Sequence, residues 1–185
     1  QGFTLVEMLI TIGVIVILAT VAVPNYLGNR MQANEGAAVA TLRSVMSAQA
    51  AFQSAGLVDE DADGLSEFGT LNEMTGESPL PNGSMARPPV LPKSMALPLG
   101  QSRVLKSGYY FQLSRPDATG LGVSDPANAR NGVDAGNAEL HWTIVAWPVR
   151  HGQTGGHTYF ANERGDIVKT RSRVYSGTAN VPPAG

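Results

Sequence analysis

Sixteen consecutive residues, 8–23, carry no charge, and a single acid, Glu7, stands at their head. Only Thr11, Gly13 and Thr20 interrupt an otherwise apolar run, which ends at Pro24-Asn25-Tyr26. Together with residues 3–6 it approaches the ~20 residues that cross a bilayer as a helix. An ionisable side chain in such a segment is costly and by default marks function. Glu7 is therefore read as a group that finds a positive partner when subunits assemble. Two other readings stay open here. A secretory signal peptide usually lacks an acid at its head and ends in a small-residue cleavage site. An ordinary single-pass anchor leaves Glu7 unexplained.

The helical pattern does not stop at Pro24. Apolar or small residues recur at Leu27, Met31, Ala38, Leu42, Val45 and Phe52, in steps of three, four and seven. Asn29, Arg30, Gln32, Asn34, Glu35, Arg43, Ser47 and Gln53 take the opposite face. Residues 3–55 read as one helix with Gly56 as its stop. Such a helix spans roughly 80 Å, too long for a small domain to bury, so its first half must protrude. Pro24 lacks an amide hydrogen and crowds the preceding turn, which predicts a kink or local break. Gly13 is a second weak point, and the stretch between the two is expected to lose helix in an assembled state.

The chain has 185 residues and a net charge of −2, so nothing points to a nucleic-acid surface. It contains no cysteine, which excludes disulfides, thiol nucleophiles and thiolate metal sites. Six prolines at 79, 81, 88, 89, 92 and 98 make residues 76–106 a surface excursion rather than helix or central strand. Residues 71–74 allow a short helical turn, and 114–139 read as Gly/Asp/Asn-rich loop. Four strands are predicted, at 108–113, 140–147, 157–161 and 166–170, with Asn162-Glu163-Arg164-Gly165 as a hairpin turn. The fold class is α+β: a long N-terminal helix, apolar and protruding in one half and amphipathic in the other, packed on a small antiparallel sheet. The expected division is a leader remnant at 1–2, a transmembrane or filament-core helix at 3–26, an amphipathic helix at 27–56 and a head at 57–185.

Beyond the helix tip, the candidates for chemistry are few. Asp59, Asp61 and Asp63 alternate before Gly64, and Glu67 follows, an arrangement of oxygens suited to a hard calcium ion. Thr70 stands where an EF-hand loop needs a bidentate Glu, so a merely solvated acidic loop is the competing reading. His141, His151 and His157 show no zinc spacing, and no nucleophile elbow or P-loop is present. No residue constellation supports an enzyme. Trp142 and Trp147, five apart, should face opposite sides of a strand, one in the core and one exposed. Tyr109 and Phe111 should share a face, with Tyr110 on the other.

Gly2-Phe3-Thr4-Leu5-Val6-Glu7-Met8-Leu9-Ile10, followed by Pro24-Asn25-Tyr26, resembles the type IV pilin and pseudopilin family with its prepilin-peptidase signal. The resemblance covers about the first thirty residues and the amphipathic helix behind them. It implies cleavage between Gly2 and Phe3, N-methylation of Phe3, and pairing of Glu7 with the amine of a neighbouring Phe3. It also implies a helical homopolymer, a prepilin peptidase and an inner-membrane assembly platform as partners. The subunit would sit in the inner membrane first and in a cell-surface filament afterwards. Residues Gln1-Gly2 precede the expected cut, so either Gln1 or Phe3 is the mature end. The missing cysteine pair leans toward a pseudopilin of a type II secretion system, which would be periplasmic. A membrane-anchored binding protein that never polymerises is the further alternative.

Overall fold

The computed structural model describes residues 2–125 and 130–184. Gln1, half of the expected leader remnant, lies outside the described residues, as does the 126–129 part of the predicted loop. The chain opens with one 50-residue helix, α1 (Leu5–Ser54). Thr4 caps its start, its hydroxyl accepting the Glu7 N–H while the Glu7 carboxylate reaches back to the Thr4 N–H. This reciprocal pair satisfies two of the amide donors that every helix start leaves orphaned. At the other end Gly56 turns the chain with φ +64°, its N–H donating to the Gln53 carbonyl at 3.0 Å.

α1 has two environments. Its most apolar 18-residue window is entirely unburied, and Leu9, Ile17 and Leu18 are each about two-thirds exposed. From Ala38 onward one stripe disappears into the head: Ala38, Thr41, Leu42, Val45, Ala48, Gln49 and Phe52. Burying Leu42, Val45 and Phe52 contributes on the order of 5–9 kcal/mol before chain entropy is counted. Leu27, expected on this stripe, is 48% exposed. Toward the helix tip, the head's last hydrogen bonds to α1 among the described residues fall at Asn34 and Glu35, where Asn34 Nδ2 donates to the Thr154 carbonyl at 2.9 Å and the Gly156 N–H donates to Glu35 at 2.7 Å. No interruption occurs at Pro24, which lies inside continuous helix. The missing amide forfeits a single bond within a long cooperative helix. Nearby, the Asn25 side-chain amide donates to the Val21 carbonyl at 3.1 Å.

The head then runs through α2 (Leu71–Thr75), a 3₁₀ turn (Lys93–Met95), β1 (Val104–Lys106), β2 (Tyr109–Pro116), β3 (Gly122–Ser124), α3 (Ala135–Leu140), β4 (Thr143–Pro148), β5 (Thr158–Asn162) and β6 (Ile167–Thr170). All pairings are antiparallel, in the order β1-β2-β4-β5-β6, with β3 added to β2. The fold is therefore α+β, as the pattern predicted. Among the described residues the sheet has six strands rather than four. β1 and β3 are three residues each, too short to show an alternating pattern. β2 extends far enough to hold one near each end. α3 replaces part of the predicted loop and the start of the predicted second strand, nucleated by Asp134, whose side chain accepts the Asn137 N–H.

Alternation along the strands sets the faces. Tyr109, Phe111 and Leu113 of β2, Ile144 and Ala146 of β4, and Tyr159 and Ala161 of β5 join the α1 stripe in one core. Both tryptophans are buried, at 2% and 0% exposure, against the expectation that one would be exposed. Trp142 precedes β4 and so escapes its alternation; it meets Phe68 edge-on at 6.1 Å. Trp147 does point to the outer face, but the C-terminal segment covers it there. Its indole N–H donates to the Gly177 carbonyl at 2.9 Å, and its ring lies 5.7 Å from that of Tyr110.

Candidate functional site

The helix tip is open to its surroundings. Gly2, Phe3 and Thr4 precede the helix and are exposed, Phe3 by 80%. Glu7 is placed by its own backbone: Oε2 accepts from the Thr4 N–H at 2.8 Å and the Thr4 hydroxyl at 2.7 Å. Oε1 accepts no hydrogen bond among the described residues. The carboxylate expected to await a partner thus also has a local role, and Thr-x-x-Glu ahead of an apolar run is the signal for such a cap. Pro24 sits nearly five turns beyond Glu7 on the same unburied helix.

A second cluster lies where α1 ends. Asp59, Asp61 and Asp63 are exposed, and one carboxylate oxygen of each lies within 4.8 Å of the others. Gly64, at φ +93°, turns the loop; its N–H donates to Asp59 at 3.2 Å, and the Leu65 N–H donates to Asp63 at 2.8 Å. Glu67 is fully buried, one oxygen accepting the Glu60 N–H at 2.7 Å and the other making no hydrogen bond among the described residues. Thr70 is taken up elsewhere: it caps α2, accepting the Glu73 N–H at 3.1 Å.

The structure adds Glu139, which the sequence reading passed over. It is 7% exposed, and its Oε1 likewise has no hydrogen-bond partner among the described residues. Burial raises its carboxyl above the ordinary range, and Asp63, Asp61, Glu67 and Asp59 push it further. No local motif marks Glu139, because only α3 and the tertiary fold bring it to the loop. Arg130 is the nearby cation, and Glu73 holds it at 2.8 and 2.9 Å, with Glu60 at 3.7 Å.

The neck between α1 and the sheet carries a third polar group. Glu35 accepts from the Gly156 N–H at 2.7 Å, lies 3.0 Å from His157 Nδ1 and accepts from the Tyr159 hydroxyl at 3.2 Å. Burial raises its carboxyl, but the Gly156, His157 and Tyr159 contacts outweigh that and hold it below the ordinary value. Burial and the Glu35 charge in turn push the Tyr159 hydroxyl up to about 12. His141 pairs with Glu163 at 3.2 Å, and His151 faces the Gly156 carbonyl at 3.2 Å, so the three histidines do not converge on one site.

An unburied apolar helix with an acid in its first turn, set on a separate α+β head, defines a pilin-like chain. Residues 1–23 match the family model of the prokaryotic N-terminal methylation motif. Over 53 residues the chain is 43% identical to the Type IV wide pilus major component PilA4 of Thermus thermophilus, a stretch that is 29% of this chain and 40% of that relative. The match thus spans less than half of the relative's length. Residues 1–23 thus carry the methylation motif, and over part of its length the chain is similar to a type IV pilin. No solved structure matches the chain at significance.

Proposed function

We propose that the chain is the structural subunit of a type IV pilus-like helical filament. The observation that carries this is the unburied half of α1: no residue of its most apolar window is covered, and water is not a tolerable environment for such a surface. Lipid covers it before assembly, in the inner membrane, and neighbouring helices cover it afterwards in a surface fibre. A prepilin peptidase cuts between Gly2 and Phe3, which are exposed and outside the helix, and Phe3 is methylated. An inner-membrane platform extrudes the subunits. The role is structural, not enzymatic.

Within the filament Glu7 pairs with the terminal amine of a neighbouring Phe3. At about 4 Å and an effective dielectric of about 20, two unit charges attract by about 4 kcal/mol. Desolvation offsets much of that gain, so the pair sets register more than stability. Oε1, which carries no hydrogen bond among the described residues, is open to that amine while Oε2 stays on Thr4. Glu7→Gln separates the two roles, because Gln also serves in a capping box but has no charge. The expected result is a folded, membrane-inserted subunit with no fibres in sheared surface fractions under electron microscopy. Normal fibres from that variant would remove the Glu7 pairing.

The absence of cysteine favours a second reading, a pseudopilin of a type II secretion system. Long surface fibres at native expression support the pilus, and fibres seen only on overexpression support the pseudopilin. Mild detergent extraction that yields only monomers, with or without the Glu7 change, would instead mean an anchored protein that does not polymerise.

A further inference from the structure

We propose that Asp59, Asp61, Asp63, Glu67 and Glu139 together bind a calcium ion that joins the loop after α1 to α3. This holds whether or not the chain polymerises. The three aspartates offer oxygens within 4.8 Å of one another. Exposed acids alone would not make a site, since water can solvate them. The two glutamates are different. Glu67 is 0% and Glu139 7% exposed, and each keeps one oxygen without a hydrogen-bond donor among the described residues. A buried carboxylate oxygen left in that state loses its hydration and gains nothing in exchange. Two such oxygens, on segments that Gln53 and the Phe68 N–H tie together and with α3 so close that a Cβ on Gly136 would lie 4.0 Å from an Asp61 carboxylate oxygen, call for a cation. Arg130 bonds neither free oxygen: Glu73 and Glu60 hold its guanidinium, and its charge reaches Glu67 only through space.

The donor set selects the ion. All five donors are carboxylate oxygens, with no nitrogen or sulfur, which suits a hard divalent ion and disfavours zinc or copper. Calcium accepts six to eight oxygens in irregular geometry, whereas magnesium demands a near-ideal octahedron and keeps its water. Acids at alternate positions, followed by a glycine turn, are the first half of a calcium loop. The carboxylate that such a loop normally takes from its own twelfth residue is absent, since Thr70 caps α2. Glu139 supplies that carboxylate from α3.

The ion would add to contacts that already converge there. Gln53 Nε2 donates to the carbonyls of Ser66 at 3.0 Å and Glu139 at 2.7 Å, and the Phe68 N–H donates to the Ala138 carbonyl at 3.0 Å. Calcium would therefore lock the end of α1, the acidic loop and α3 as one unit, and its binding would couple to head stability.

The test uses the full chain in non-ionic detergent, stripped with a chelator and titrated with calcium chloride alone by calorimetry, with melting followed by tryptophan fluorescence. One saturable site and a midpoint raised by several degrees are expected, with magnesium weaker. Asp61→Asn and Glu139→Gln should each weaken calcium binding by about tenfold or more, and Glu163→Gln should leave it unchanged. Glu139→Gln should also raise the melting point in chelator, because it removes like-charge repulsion, an outcome no misfolded variant gives. Absence of saturable uptake at millimolar calcium overturns the site. Unchanged calcium affinity in Glu139→Gln overturns the part assigned to α3.

Discussion

Gln49 offers the sharpest test of how α1 docks. It is fully buried in the middle of the helix, and its side-chain amide reads one residue's backbone in both directions. Nε2 donates to the Gly69 carbonyl at 2.9 Å, and the Gly69 N–H donates to Oε1 at 2.9 Å. The loop comes this close because Gly69 lacks a side chain; a Cβ there would lie 2.9 Å from the Phe52 ring. Gln49→Met keeps the length and volume but removes both bonds. Two backbone groups are then orphaned in the core, at about 1–3 kcal/mol each, offset by about 1 kcal/mol for the more apolar side chain. The net loss is about 1–5 kcal/mol, centred near 3. At about 3 °C per kcal/mol for a head of this size, the midpoint falls by about 9 °C. Denaturant unfolding in detergent, followed by Trp142 and Trp147 emission, reads the head alone. The exposed change Gln32→Met serves as the reference, expected within about 0.5 kcal/mol. A loss from Gln49→Met no larger than that of Gln32→Met would refute the claim that this amide holds the helix to the loop.

Three further outcomes are expected in the same assay. Gly155→Ala places a Cβ 1.9 Å from the hydroxyl oxygen of the buried Tyr109, and should destabilise the head by about 2–3 kcal/mol; wild-type stability would contradict the packing there. Arg115 and Asp125 form a pair at 3.1 Å with both side chains fully buried. Asp125→Ala should cost about 3–5 kcal/mol, while the double change to Arg115→Met with Asp125→Leu should recover most of it; a double variant as unstable as the single one would speak against this. The Glu35 carboxyl is held below the ordinary carboxylate value by Gly156, His157 and Tyr159 despite burial. Its contribution is thus present above about pH 4.5 and lost as pH falls through the lower folded value, so Glu35→Gln should flatten stability between about pH 5 and pH 3. Tyr109 and Tyr159 also face it, and Arg171 touches the far side of His157 at 2.9 Å, but neither the tyrosines nor the arginine titrates in that window.

The N-terminal half was legible because its signals are local. A helix of fixed pitch turns a 3.6-residue period into one face, so Ala38, Leu42, Val45 and Phe52 announce their own burial. Alternation did the same for Tyr109 and Phe111, and Asn162 through Gly165 carried enough turn chemistry to place the β5–β6 hairpin. The Thr4–Glu7 cap was equally readable in principle. The acidic loop was visible as Asp59, Asp61, Asp63 and Glu67, but only as residues of one segment.

What the tertiary structure alone decided depends on segments distant in the chain. Glu139 joins the acidic loop because α3 packs on Phe68, and no spacing rule connects a residue of α3 with one after α1. Trp147 is buried because the patternless tail around Gly177 lies over the outer face of the sheet. Leu27 stays exposed because the head thins out beyond Glu35 and Met31, a boundary set by the reach of the loop holding Gly156 and not by the helix period. Periodicity encodes which way a side chain points; only the packed chain encodes what, if anything, is waiting there.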